Sequence, residues 1–147
     1  MPNAKRRPSD RPPRNRTEKA YWLPLPRRDA DLIILQYRLA VETIRRQRAT
    51  QVEVQCVAHA VLLTAMLTEL GYGRLDASLL EGAEDDVLTM LERGHASGDY
   101  SYREEGVQRL IEVINEHDRQ LREVHVAALV GCNERLQACM ESMAAAG

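Results

Sequence analysis

His59 is the residue whose type and setting most invite chemistry, because it interrupts the most apolar stretch of the chain, Gln51 to Leu70 (QVEVQCVAHAVLLTAMLTEL). Between Glu53 and Glu69 that stretch carries no formal charge when the imidazole is neutral. A titratable ring held among apolar groups has a displaced titration, and displaced groups commonly serve as general bases. Nothing legible completes a catalytic set. No Ser or Cys nucleophile comes with a base and an orienting group, no Gly-rich phosphate loop exists, and Glu84, Asp85 and Asp86 fall on a face that reads as solvated. His59 is therefore expected to be a neutral core histidine bonded to a backbone or hydroxyl group. The chain is expected neither to be an enzyme nor to take a small-molecule substrate.

Metal chemistry fails on spacing. A di-iron bundle needs a Glu-x-x-His pair on each of two helices, all facing inward. Only Glu92 and His95 have that spacing, and Gly94 between them is expected to stop the helix. Zinc would require four clustered Cys or His ligands. Cys56 with His59 at i, i+3 and Cys132 with Cys139 at i, i+7 are doublets that make no site alone, so neither metal nor cofactor is expected. Gly71-Tyr72-Gly73 follows a helix and reads as a turn, because a phosphate cradle needs N–H groups at a helix start.

The elements that would carry these residues are all helical, in a four- or five-helix bundle. Val54, Val57, Val61, Leu62, Leu63, Met66, Leu67 and Leu70 cover both sides of a helical wheel, so the helix over 51–70 is expected to be surrounded by the others. It is too short and too interrupted by Gln55, His59 and Thr64 to read as a membrane span. A first helix over 30–46, capped by Asp29, carries Leu32, Ile33, Leu35, Tyr37, Leu39, Ala40, Val41 and Ile44 as a broad stripe. A third runs from an Asp76 cap to Arg93, with Leu79, Leu80, Ala83, Val87, Leu88, Met90 and Leu91 inward. Ser101-Tyr102-Arg103-Glu104 is a capping-box pattern that opens a fourth, whose wet side is Asn115 and His117 to Gln120. The helical period continues to Ala146, and a break is expected near 124–126 because one helix of that length is unusual.

Length and charge set the rest. At 147 residues the chain is expected to form one domain, preceded by a segment over 1–28. Three cysteines, with Cys56 in the most apolar stretch, fit reduced thiols and a cytoplasmic location, and no secretory pattern follows the N-terminus. Residues 1–28 hold nine Lys/Arg against Asp10 and Glu18, a net +7, while 29–147 hold eleven against twenty acids, a net −9. Residues 1–20, with four prolines, have the composition of a disordered tail, and Tyr21 to Arg28 reads as an extended apolar lead-in that lays Trp22 on the bundle. A helix-turn-helix reading of the 71–75 link fails on charge, since the would-be recognition helix, 76–93, carries six acids and a single arginine.

Trp22-Leu23-Pro24-Leu25-Pro26, with Asp29, Leu35-Gln36-Tyr37 and Leu39-Ala40 after it and His117-Asp118-Arg119-Gln120-Leu121 much later, resembles a group of small helical proteins of beta-proteobacteria often labelled Fis-type transcriptional regulators. The resemblance spans residues 21–121 and implies DNA-associated regulation. The Fis name goes with a basic C-terminal helix-turn-helix, whereas Arg135 is the only Lys or Arg in 124–147, so no site residue is carried over.

The expected function is a non-enzymatic regulatory protein that contacts DNA through Lys5, Arg6, Arg7, Arg11, Arg14, Arg16 and Lys19 of the basic arm, by sequence-blind phosphate contacts. The alternative is a helical interaction or assembly module without nucleic acid. Its partner, another protein or a second copy, would meet a seam of Cys132, Leu136, Cys139, Met140 and Met143 on the C-terminal helix.

Overall fold

The computed structural model describes residues 16–146. Those residues form six helices and no strand, the one extended pairing being an isolated bridge between Pro24 and His125. The expected arm residues Lys5, Arg6, Arg7, Arg11 and Arg14 lie outside the described residues. Where no structure was expected, Arg16–Tyr21 forms a short helix, α1, that touches the last helix of the chain.

Helix α2, Arg27–Arg45, starts two residues before the expected Asp29 cap. Pro26, extended at φ −52° and ψ 140°, already accepts the N–H of Asp29 and Ala30, so Asp29 sits in the first turn, where its charge complements the helix dipole. The turn after α2 is held by Gln47, in the left-handed region at φ 59°. Its side-chain amide donates to the Tyr102 carbonyl at 2.7 Å and accepts the Tyr102 N–H at 3.2 Å, tying this corner to the start of the helix over 104–123.

Helix α3, Gln51–Leu67, opens on a capping box, Glu53 accepting from the Thr50 N–H at 2.7 Å and from its hydroxyl at 2.6 Å. It closes in a wide turn, Thr68–Tyr72, where Gly71 takes φ 95°. α3 packs against α2 and against the helices over 77–97, 104–123 and 126–146, so it is central as expected. It is not encased throughout: Val54, Val57, Val61 and Leu67 are fully buried, Leu62, Leu63 and Met66 only half, and Leu70 is exposed where the chain turns away. By length and composition Gln51–Tyr72 is also apolar enough to cross a membrane.

Helix α4, Ala77–Ser97, runs through the expected stop at Gly94 and ends at Gly98, which takes the left-handed φ of 74°. Gly94 is needed for a different reason, since a Cβ there would collide with the Tyr100 ring. His95 is consequently on the helix, exposed to solvent, and Leu88, expected inward, is exposed as well. The Ser101 capping box does not form. Ser101 N–H instead donates to Asp99 Oδ1 at 2.9 Å in a turn, and α5, Glu104–Glu123, begins three residues later with Arg103 as its cap. Val124, extended at φ −87° and ψ 137°, makes the expected break before α6, Val126–Ala146.

Candidate functional site

The largest departure from the expected pattern is on α5. His117 and Gln120, placed on its wet side from sequence, are 1% and 0% exposed. The solvated side instead carries polar contacts with α2: Arg38 donates to Asn115 at 3.0 Å and pairs with Asp118 at 3.3 Å, and Arg122 pairs with Asp31 of α2 at 2.6 Å and with Asp118 of its own helix at 2.7 Å. Glu116 is also buried, paired with Arg119 and accepting the Arg74 N–H at 3.3 Å, while Arg119 donates to the Tyr72 carbonyl at 2.7 Å. That clamp fastens the Gly71–Arg74 turn to α5.

His117 forms part of the wall of a partly open cavity of about 310 Å³ lined by α2, α3, α5 and α6. Its apolar wall includes Leu63 and Leu67 of α3, Leu121 of α5, and Leu129 and Val130 of α6. The polar members are Gln36, Tyr37, His59, His117 and Asn133, and among the described residues no Lys, Arg, Asp or Glu lines it. His59 is half-buried there, with burial lowering its pKa against an opposing interaction with Asn133. Burial pushes His117 down to about 4, the Gln120 hydrogen bond opposing the shift and a charge on His59 adding to it. Tyr37, edge-on to His117 with ring centroids 5.5 Å apart, is pushed up to about 12, mainly by burial and secondarily by Cys56. The cavity thus joins the expected candidate, His59, to a second histidine that the sequence reading had put in solvent.

The remaining expected residues are dispersed. Lys19 is exposed on α1, whose first residue is Arg16. The C-terminal seam is split: Cys132 and Leu136 are buried in the body, whereas Cys139, Met140 and Met143 lie on the part of α6 beyond Gln137, where every described residue is exposed. Among the described residues no three His, Cys, Asp or Glu side chains come together as a metal site. Trp22 does meet the body, stacking on His125 at 5.4 Å while remaining 71% exposed.

A surface that was not singled out lies on α2. The broad stripe expected to face inward resolves into two opposite faces. Ala30, Ile34, Tyr37, Val41 and Ile44 are buried, while Leu32, Leu35 and Leu39 are 55%, 51% and 58% exposed. At 100° per residue the second set points directly away from the first.

No family model matches the chain, and no curated protein or solved structure matches it either.

Proposed function

We propose that the chain is a non-enzymatic helical assembly module that pairs with a second copy through the exposed leucines of α2. The observation that carries this reading is the spacing of Leu32, Leu35 and Leu39, which is the 3,4 spacing of a helix-pairing seam on a face that nothing among the described residues covers. A second copy suits the seam because its charges are arranged about Leu35. Arg28 stands seven residues before it and Glu42 seven after, so an antiparallel pairing centred on Leu35 brings each Arg28 opposite a Glu42. Arg45 and Arg46 hold the Glu42 carboxyl down to about 2, so it is ionised for such a contact. The cavity lining, with no carboxylate beside His59, supports binding over catalysis. Sedimentation of the wild type against Leu35→Glu tests the reading: a dimer is expected, converting to a monomer with unchanged helix content. A wild type that stays monomeric at high concentration sinks it.

The charge segregation of the sequence favours a second role, in which the basic arm holds DNA while the acidic body carries the assembly. Because α1 touches α6, the arm is best removed only through residue 15. Loss of salt-sensitive DNA binding on that deletion is the expected result. Equal affinity with and without the arm rules the role out.

A further inference from the structure

His117 distinguishes the four-helix cavity from a packing gap. The ring is buried, it forms part of the wall, and its Nε2 has no hydrogen-bond partner among the described residues. The chemistry of that nitrogen follows from its neighbours. Gln120 Nε2 donates to the Thr64 carbonyl at 3.4 Å, which leaves Gln120 Oε1 facing His117 Nδ1, also at 3.4 Å. An amide oxygen only accepts, so Nδ1 carries the ring proton and Nε2 keeps a lone pair. Buried acceptors are normally satisfied, and this one is left for something that brings a donor.

We propose that the cavity binds an uncharged, mainly apolar small molecule bearing one hydrogen-bond donor, a hydroxyl or N–H on a body of one or two rings, and that the His117 ring, whose Nε2 is covered as it stands, tilts to receive the donor. The size fits, since about 310 Å³ is at the small end of ligand sites and about twice the volume of an engineered cavity that holds benzene. Charge is selected against. A carboxylate or ammonium would lose part of its water without meeting any ionised side chain on the wall among the described residues. Burial keeps His117 neutral at pH 7, so the acceptor persists there. Leu129 and Val130 close one side from α6 and Leu63 and Leu67 close another from α3, so an occupant bridges the helices that frame it. The inference stands independently of the assembly reading, which uses a different set of α2 residues.

Two donor–methylated pairs test it on the full chain: indole against 1-methylindole, and p-cresol against 4-methylanisole. Calorimetry gives the affinities and amide NMR shifts locate the site. At least one donor compound is expected to bind tenfold or more tightly than its methylated partner, with shifts centred on Tyr37, His117 and Asn133. His117→Gln, which keeps an acceptor, should retain the preference, and His117→Leu should erase it. Val130→Trp should block the cavity without touching His117. Equal affinity within both pairs, shifts confined to the α2 leucines, or no binding of either donor up to 1 mM overturns the proposal. So does indole-3-acetate binding as tightly as indole.

Discussion

His117 and Gln120 lie one turn apart on α5, both buried, with Nδ1 and Oε1 3.4 Å from each other. Gln120 passes the connection on to the Thr64 carbonyl of α3, so two helices packed mainly by apolar contacts are also joined by a polar relay. Such a relay specifies register, because sliding one helix would leave buried polar atoms unpaired, at about 1–3 kcal/mol each.

The burial of His117 makes stability depend on pH. His117 titrates at about 4 in the fold, because burial disfavours the cation, but near the ordinary 6.5 when unfolded. The unfolded state therefore binds the proton more readily. Stability is retained above pH 6.5 and lost as pH falls through the window between the two values. Lowering pH from 7 to 5 is expected to cost about 2 kcal/mol from this group alone. Urea melts of the wild type against His117→Gln should show that much less pH dependence in the variant. Parallel curves would refute the assignment.

Arg119→Met is expected to loosen the turn after α3. Glu116 is buried, and removing its cation leaves a carboxylate with only the Arg74 N–H, a change that costs roughly 3 kcal/mol for a buried pair. The Tyr72 carbonyl also loses its donor. Faster hydrogen exchange confined to residues 71–75 and a lowered urea midpoint are the expected signs. Unchanged exchange there would mean that Gly71 and the α3 turn hold themselves.

How much of this could be read in the sequence depends on what each position answers to. The central helix and the break at 124–126 were legible because hydrophobic content and chain length fix them. His117 and Gln120 were also within reach, since Leu110, Ile114, His117, Gln120, Leu121 and Val124 keep one 3.6-residue stripe; polarity was allowed to outweigh position. The two faces of α2 were less accessible. Ten apolar residues in 30–46 exceed what one face holds, but only the packing of α3 and α5 shows which three leucines are left out. Gly94 misled because a helix glycine signals an end by default, whereas here the demand comes from a ring contributed by a loop. The Ser101 box failed to Asp99, two residues upstream, which took the serine's N–H first.

That loop contact predicts the outcome of Gly94→Ala. Any Cβ at this position meets the Tyr100 ring, so the ring must leave its place against the core, and overpacking of this kind costs about 1–3 kcal/mol. The double variant Gly94→Ala with Tyr100→Ala should be less destabilised than the two single changes added together, because the clash needs both partners. Simple additivity in chemical denaturation would show that the ring is free to move aside.

The split seam of α6 predicts opposite fates for two substitutions a little under two turns apart. Leu136 is 3% exposed, so Leu136→Glu places a carboxylate in the body with no cation arranged to meet it, and the chain should unfold or lose most of its cooperative transition. Met143 is 75% exposed on the free part of the helix, so Met143→Glu should change stability by no more than about 0.5 kcal/mol. A Leu136→Glu protein that melts like the wild type would mean that α6 is not docked through Cys132 and Leu136. The cavity would then lose the wall formed by Leu129 and Val130, and the binding proposal would fall with it.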